Sequence, residues 1–201
     1  MNTNLFFHKT FKIASCLFLF VLASIRMEAQ QTLENVGLLA DKLNETAPSS
    51  TDHWGQLVGD WDIVVDMLDD SGEIQQSFSG EWNWFYIMNG MAIQDVFILP
   101  KRKDSKDQGN QFYGVGLRIY NEKLDKWQTA YVDTSNRQID VGEAVSTKEK
   151  ITLFETNDKK EKIRITYFDF QENTFRWQQE VFNEDQKAWQ VTQLIRATRK
   201  G

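Results

Sequence analysis

The sequence predicts an all-β protein: an antiparallel up-and-down barrel of about eight to ten strands, preceded by a short N-terminal helix. Three observations carry that prediction. From residue 60 onward apolar and polar residues alternate in short runs, most plainly at Ile163, Ile165, Tyr167 and at Phe175, Trp177, Gln179, Val181, and a period of two marks a half-buried strand. Turn-forming clusters separate the runs: Asp69-Asp70-Ser71-Gly72, Asn121-Glu122-Lys123, Thr134-Ser135-Asn136, Asn157-Asp158-Lys159 and Asn183-Glu184-Asp185. The longest run, 80–99, folds back at Asn89-Gly90, the strongest short-range hairpin signal. No helical pattern interrupts the series. A meander of sequential strands with short loops avoids exposed edges by closing into a barrel.

The elements follow in order. Residues 1–29 read as a secretory signal peptide: Lys9 and Lys12, an apolar run over 13–25, then Met27-Glu28-Ala29, with cleavage after Ala29 and a mature start at Gln30. The run is shorter than the about 20 residues a membrane span needs. Ile13-Ala14-Ser15-Cys16 matches a bacterial lipoprotein box by letter, but there the apolar run precedes the cysteine and here it follows. Cys16 therefore reads as an ordinary leader residue, and the expected address is periplasmic or secreted without lipid. Residues 30–51 are a helix and linker: Leu33, Val36, Leu39, Ala40 and Leu43 recur at helical spacing over 32–43, and a linker containing Pro48 follows. Residues 52–58 predict a helical turn started by Ser50 or Asp52 and stopped by Gly59. Strands are expected at 60–68, 73–88, 91–99, 111–120, 126–133, 137–145, 149–155, 161–169, 174–183 and 187–198, so that 52–201 is the barrel domain. The charged loop over 100–111 is placed to cap one mouth. Phe78, Trp82, Trp84, Tyr86 and Met88 share one face of the second strand. On its other face Gln75, Ser77, Ser79, Glu81 and Asn83 call for water, as do Arg164 and Thr166 elsewhere, which argues against an outer-membrane barrel with its apolar outward band.

Gly59-Asp60-Trp61 opens the first strand and Arg196 lies in the last. This pair resembles the G-x-W signature of lipocalins and calycins, in which an arginine from the final strand covers a tryptophan at the barrel floor, combining stacking with a cation–π attraction. Trp82-x-Trp84, Ala92-x-Gln94-Asp95-Val96, Gly116-Leu117-Arg118-Ile119-Tyr120 and Trp127 extend the resemblance, over 52–198, to a bacterial lipocalin-like family of unknown function. The resemblance implies a lipocalin-like barrel with Arg196 over Trp61, and no activity. The disulfide and the T-D-Y motif of carrier lipocalins are missing.

Composition narrows the chemistry. Without residues 1–29 the chain keeps 20 basic and 28 acidic residues, a net charge of −8, which disfavours nucleic acid and anionic membrane surfaces as partners. It then has no cysteine and one histidine, His53, so a cysteine nucleophile and a three-histidine zinc site are excluded. Asp60, Asp62, Asp66, Asp69 and Asp70 fit no calcium loop and read as a solvated acidic edge. Gly114-Val115-Gly116 lies within a strand, where glycine marks a bend, and no phosphate-binding loop is present.

What remains is cofactor-free, metal-free proton transfer or plain binding of a small-molecule or oligosaccharide ligand. Trp82, Trp84, Gln94, Asp95 and Trp177 are the candidate ligand-binding residues, although Trp82, Trp84 and Trp177 also read as core. Tyr113, Tyr131 or His53 is the candidate proton acceptor, with Arg118 or Arg137 holding a carboxylate. Indoles, phenols, amides and arginine suit a hydroxylated ring better than a fatty chain. The expected function is a lyase or dehydratase that abstracts a proton from a uronate-type sugar acid and eliminates from it. The alternative is a non-catalytic barrel that binds a small amphipathic molecule.

Overall fold

The computed structural model describes residues 39–104, 111–157 and 159–201. The leader, Cys16 and most of the expected first helix lie outside the described residues. A single helical turn, α1 (Thr51–Gly55), enters ten strands: β1 (Gly59–Leu68), β2 (Ile74–Ile87), β3 (Ala92–Leu99), β4 (Phe112–Asn121), β5 (Lys126–Asp133), β6 (Ile139–Ser146), β7 (Lys150–Thr156), β8 (Lys162–Phe168), β9 (Thr174–Asn183) and β10 (Ala188–Arg199). Each strand pairs antiparallel with its sequence neighbours, and β1 pairs with β10 to close the barrel. All ten expected strands form, two of them with the expected ends and the others with ends shifted by one or two residues.

The barrel has two ends. α1 and the β2–β3, β4–β5, β6–β7 and β8–β9 turns lie at one, the floor. The described ends of the β3–β4 connection, 100–104 and 111, and the remaining hairpin turns lie at the other, the mouth; residues 105–110 of the expected capping loop lie outside the described residues. The floor is filled by rings. Trp54 of α1 sits 5.9 Å from Trp84, 5.7 Å from Trp127 and 5.3 Å from Tyr167, centroid to centroid, and all four are almost fully buried. Large aromatic side chains bury the most apolar area per residue and here seal the barrel from below.

Several local expectations change. The described end of the expected helix, 39–43, is not helical: Ala40 forms an isolated antiparallel bridge with Tyr86 and a bend follows. Ala40 N–H donates to Tyr86 O (3.0 Å), and Asn44 binds Gly90 O and Asn89 O through its N–H and side-chain amide (3.2 and 2.9 Å). The reason lies in β2, which outruns β1: Gly59 pairs with Trp84, so the Tyr86 carbonyl beyond it has no strand partner until this segment supplies one. The β2–β3 connection is a four-residue turn, 88–91, in which Met88, Asn89 and Gly90 all have positive φ. Met88 is 56 % exposed and ends the ring face instead of extending it. A side chain at Gly90 would strike the backbone of residues 42–44, so glycine is required there for contact as well as conformation.

Trp61 donates its indole N–H to Leu57 O (2.7 Å) and meets Phe175 edge-on at 4.8 Å. The arginine over it is Arg199, with its guanidinium carbon 4.1 Å from the ring, and not Arg196. Parity explains the correction: Trp61 pairs with Arg199, whereas Arg196 pairs with Val64 on the outer face and bonds Asp66 at 3.0 Å. Glu81 and Asn83, expected in water, are buried. Glu81 accepts bonds from Arg102 and Lys200 (2.8 and 2.7 Å), and Lys101 pairs with Asp62 at 2.8 Å. These cations fasten residues 101–102 to the outer wall rather than over the mouth. Asp62 and Asp66 are likewise engaged in ion pairs, not left as a free acidic edge.

Candidate functional site

Closure by direct cross-strand pairing fixes which side chains enter the barrel. Trp82 pairs with Phe97, Trp84 with Asp95, Asp95 with Gly116, and one row runs Arg118–Thr129–Gly142–Glu155 from β4 to β7. Residues paired in this way share a face, so the rings of β2 and the charges of β3, β4 and β7 converge on one interior.

At its base Arg118 and Asp95 form a buried ion pair, 5 % and 1 % exposed in their side chains. The Trp82 indole donates to the other Asp95 oxygen at 2.6 Å. The guanidinium carbon lies 5.0 Å from the Trp54 ring and 4.8 Å from the Trp84 ring. Burial lowers the Arg118 pKa, while the neighbouring Tyr167 and Glu155 oppose that shift. Two glycines make room for this chemistry. A methyl at Gly116 would overlap both the guanidinium and the Asp95 carboxylate, and one at Gly114 would overlap the Tyr131 hydroxyl. The strand glycines read as a bend are places where polar side chains lie against bare backbone. A buried ion pair is a weak source of stability compared with an apolar pair of the same shape, which points to function for this one.

Above the pair is a cavity of about 280 Å³, near the small end of ligand pockets, about 300–1,000 Å³. Apolar side chains such as Phe97, Phe112, Leu153, Ile165 and Ile195 form much of its wall, and Trp82, Trp177, Tyr131, Tyr167, Glu155, Gln179 and Gln193 reach it with the ion pair. Burial, reinforced by the nearby Asp140, pushes Glu155 up to about 7, and Arg118 only partly opposes this. Burial also raises Tyr131 and Tyr167, so both phenols keep their protons. A carboxyl group balanced near neutrality, two protonated phenols and a fixed cation equip one cavity for proton transfer.

Of the residues singled out in the sequence, Trp82, Asp95, Arg118, Tyr131 and Trp177 line this cavity, and Trp84 lies beneath it against Arg118. Four do not reach it. Tyr113 alternates with the inward Phe112 and Gly114, and its hydroxyl donates to Gln111 (2.8 Å). Gln94 alternates with Asp95 and pairs with Leu117 on the outer face. Arg137 is exposed in the β5–β6 turn, bonded to Thr134 O. His53 sits in α1, where Nδ1 and Ser146 Oγ are 2.9 Å apart and the same oxygen accepts the Trp127 indole. Sequence reasoning missed Glu155, Tyr167, Gln179 and Gln193. The signal for Glu155 was its phase, since Ile151, Leu153 and Glu155 share the inward face of β7.

No protein-family model matches the chain and no curated protein matches it. The functional reading therefore rests on the geometry of this cavity.

Proposed function

We propose that the protein is a cofactor-independent lyase or dehydratase that takes a small, hydroxylated sugar acid into the barrel and eliminates water or a sugar from it. The observation that supports this is the placement of Glu155, held near neutrality by burial, in the same cavity as the protonated Tyr131 and the fixed Arg118. In the proposed step the Glu155 carboxylate takes the proton from the carbon beside the acid group. The released electron pair forms a carbon–carbon double bond as the bond to the leaving oxygen breaks, and Tyr131 gives that oxygen its proton. Proton transfer from Glu155 to the tyrosinate restores the site. Glu155 takes the base's role expected of Tyr113, His53 or Tyr131: the first two do not enter the cavity, and burial keeps the proton on Tyr131, which becomes the acid.

A second reading is favoured by the neutralisation of Arg118 by Asp95 and by the apolar upper wall: a non-catalytic barrel for a small amphipathic ligand. The experiment that separates the two is incubation of the protein, with a chelator present, with uronate oligosaccharides, following the ultraviolet absorbance of the new conjugated double bond. Turnover abolished by Glu155→Gln supports elimination; binding without turnover supports the alternative.

The lipocalin-like kinship and the address are part of the same proposal. A G-x-W tryptophan beneath a final-strand arginine supports the first, and the leader grammar of residues 1–29 supports export. No helix among the described residues is long and apolar enough to cross a membrane.

A further inference from the structure

The barrel interior is rich in hydrogen-bond donors that have nothing to donate to. The side-chain N–H groups of Arg118 (Nε), Trp177, Trp84 and Trp54 are buried without a hydrogen-bonded acceptor, as are the Ser50 and Thr51 hydroxyls at the floor and one oxygen each of Asp66 and Asn83 on the outer face. Asp95 accepts from Arg118 Nη1 and from Trp82 and makes no bond to these four N–H groups. Such a group costs about 1–3 kcal/mol when left unpaired, so a cluster of one kind marks the place of a missing partner. Two of the four, Arg118 and Trp177, line the cavity, and they are only 5 % and 6 % exposed. Both approach the Tyr167 hydroxyl within hydrogen-bonding reach and act on its ionisation, but with poor alignment, so that neither N–H is fully satisfied.

We infer that this end of the cavity is a carboxylate subsite, in which Arg118 Nε, the Trp177 indole N–H and the Tyr167 hydroxyl receive the acid group of the ligand. The inference rests on the cavity being a ligand site and names the group that the site recognises. Chemistry selects the anion. All three groups donate, and a carboxylate offers two oxygens with about four lone-pair sites. Donation to a charged acceptor is roughly twice as strong as donation to a neutral one. Asp95 acts as a positioning residue: it holds one guanidinium nitrogen and makes no bond to Nε. The indoles of Trp54 and Trp84 keep the guanidinium in place from the floor side.

The test uses benzoate and benzamide, which share a ring that suits the apolar wall and differ in the charged group. Titration of tryptophan fluorescence and a thermal-shift series give the affinities. Benzoate should bind about tenfold or more tightly than benzamide. Trp177→Phe, which keeps the ring and removes the N–H, should weaken benzoate by about tenfold and leave benzamide unchanged. If Trp177→Phe does not fold, Tyr167→Phe reads the same subsite. Equal binding of the two probes, no binding of benzoate, or unchanged benzoate affinity in a folded variant would overturn the inference. Benzoate has no leaving group, so its selectivity is independent of turnover. Selectivity without turnover of uronates sinks the elimination and keeps the subsite; turnover without selectivity does the reverse.

Discussion

Arg199 places its guanidinium 4.1 Å from the Trp61 ring and donates to Val58 O at 2.9 Å and to Gln56 O at 3.3 Å. One side chain thus ties the last strand to the segment that enters the first, which is the seam where the barrel closes. Arg199→Ala should cost about 1–2 kcal/mol, from a partly buried cation–π contact and part-buried carbonyls left without this donor. Trp61→Ala should cost about 3–5 kcal/mol. Urea unfolding measures both. Trp61 emission should change in Arg199→Ala and stay as in wild type in Arg196→Ala, whose side chain is on the outer face.

Glu81 makes the second prediction. Hydrogen bonds from Arg102 and Lys200 hold its carboxyl at about 2, below the ordinary 4.5. The unfolded chain binds this proton more readily than the native one, so the contribution is complete above about pH 4.5 and is lost as pH falls toward 2. Its size is on the order of 1–2 kcal/mol after screening at the exposed Arg102 is allowed for. Glu81→Gln should remove that part of the acid sensitivity in a series of unfolding curves below pH 5.

Much of the fold was legible because the side-chain period of a strand is two and turns have their own residues. Ile163, Ile165, Tyr167 located β8, and Phe175, Trp177, Gln179 located β9. Facing was legible only where it could be anchored. Trp61 was read as floor, yet its covering arginine was misplaced by three residues, because a three-residue offset reverses the face of a strand. The same parity turned Tyr113 and Gln94 outward and brought Glu155 inward. Helical spacing at 40–43 misled because the open end of β2 offered the backbone a strand partner. Buried Glu81 escaped notice because its partners, Arg102 and Lys200, are distant in sequence.

Gly116→Ala tests whether the interior is built around the ion pair. The added methyl would overlap Arg118 and Asp95, and overpacking a tight interior costs about 1–3 kcal/mol. The variant should fold, unfold at a lower temperature and lose benzoate affinity. Gly72→Ala, whose methyl meets open space in an exposed turn with φ of 85°, should lower stability through backbone strain and leave benzoate affinity unchanged.

Glu155 gives a pH dependence of opposite sign to that of Glu81. Folding raises it from 4.5 to about 7, so the native state holds the proton more firmly than the unfolded chain. Stability due to this group is complete below about pH 4.5 and falls as pH rises to about 7, by at most about 3 kcal/mol. Glu155→Gln should flatten that decline and raise stability at neutral pH. Together the two carboxyl groups place their joint optimum near pH 4.5, which a pH series of thermal unfolding reads directly.

The pH–rate profile of uronate elimination bears most directly on the central claim that Glu155 in the barrel cavity is the base. The kcat/KM of wild type should rise with pH along a single ionisation near 7, as the carboxyl group becomes able to accept a proton. Glu155→Gln should fold as wild type, bind substrate, and lose about 10²–10⁴ in rate, with no residual ionisation near 7. A Glu155→Gln enzyme that keeps the wild-type rate and profile would contradict the claim.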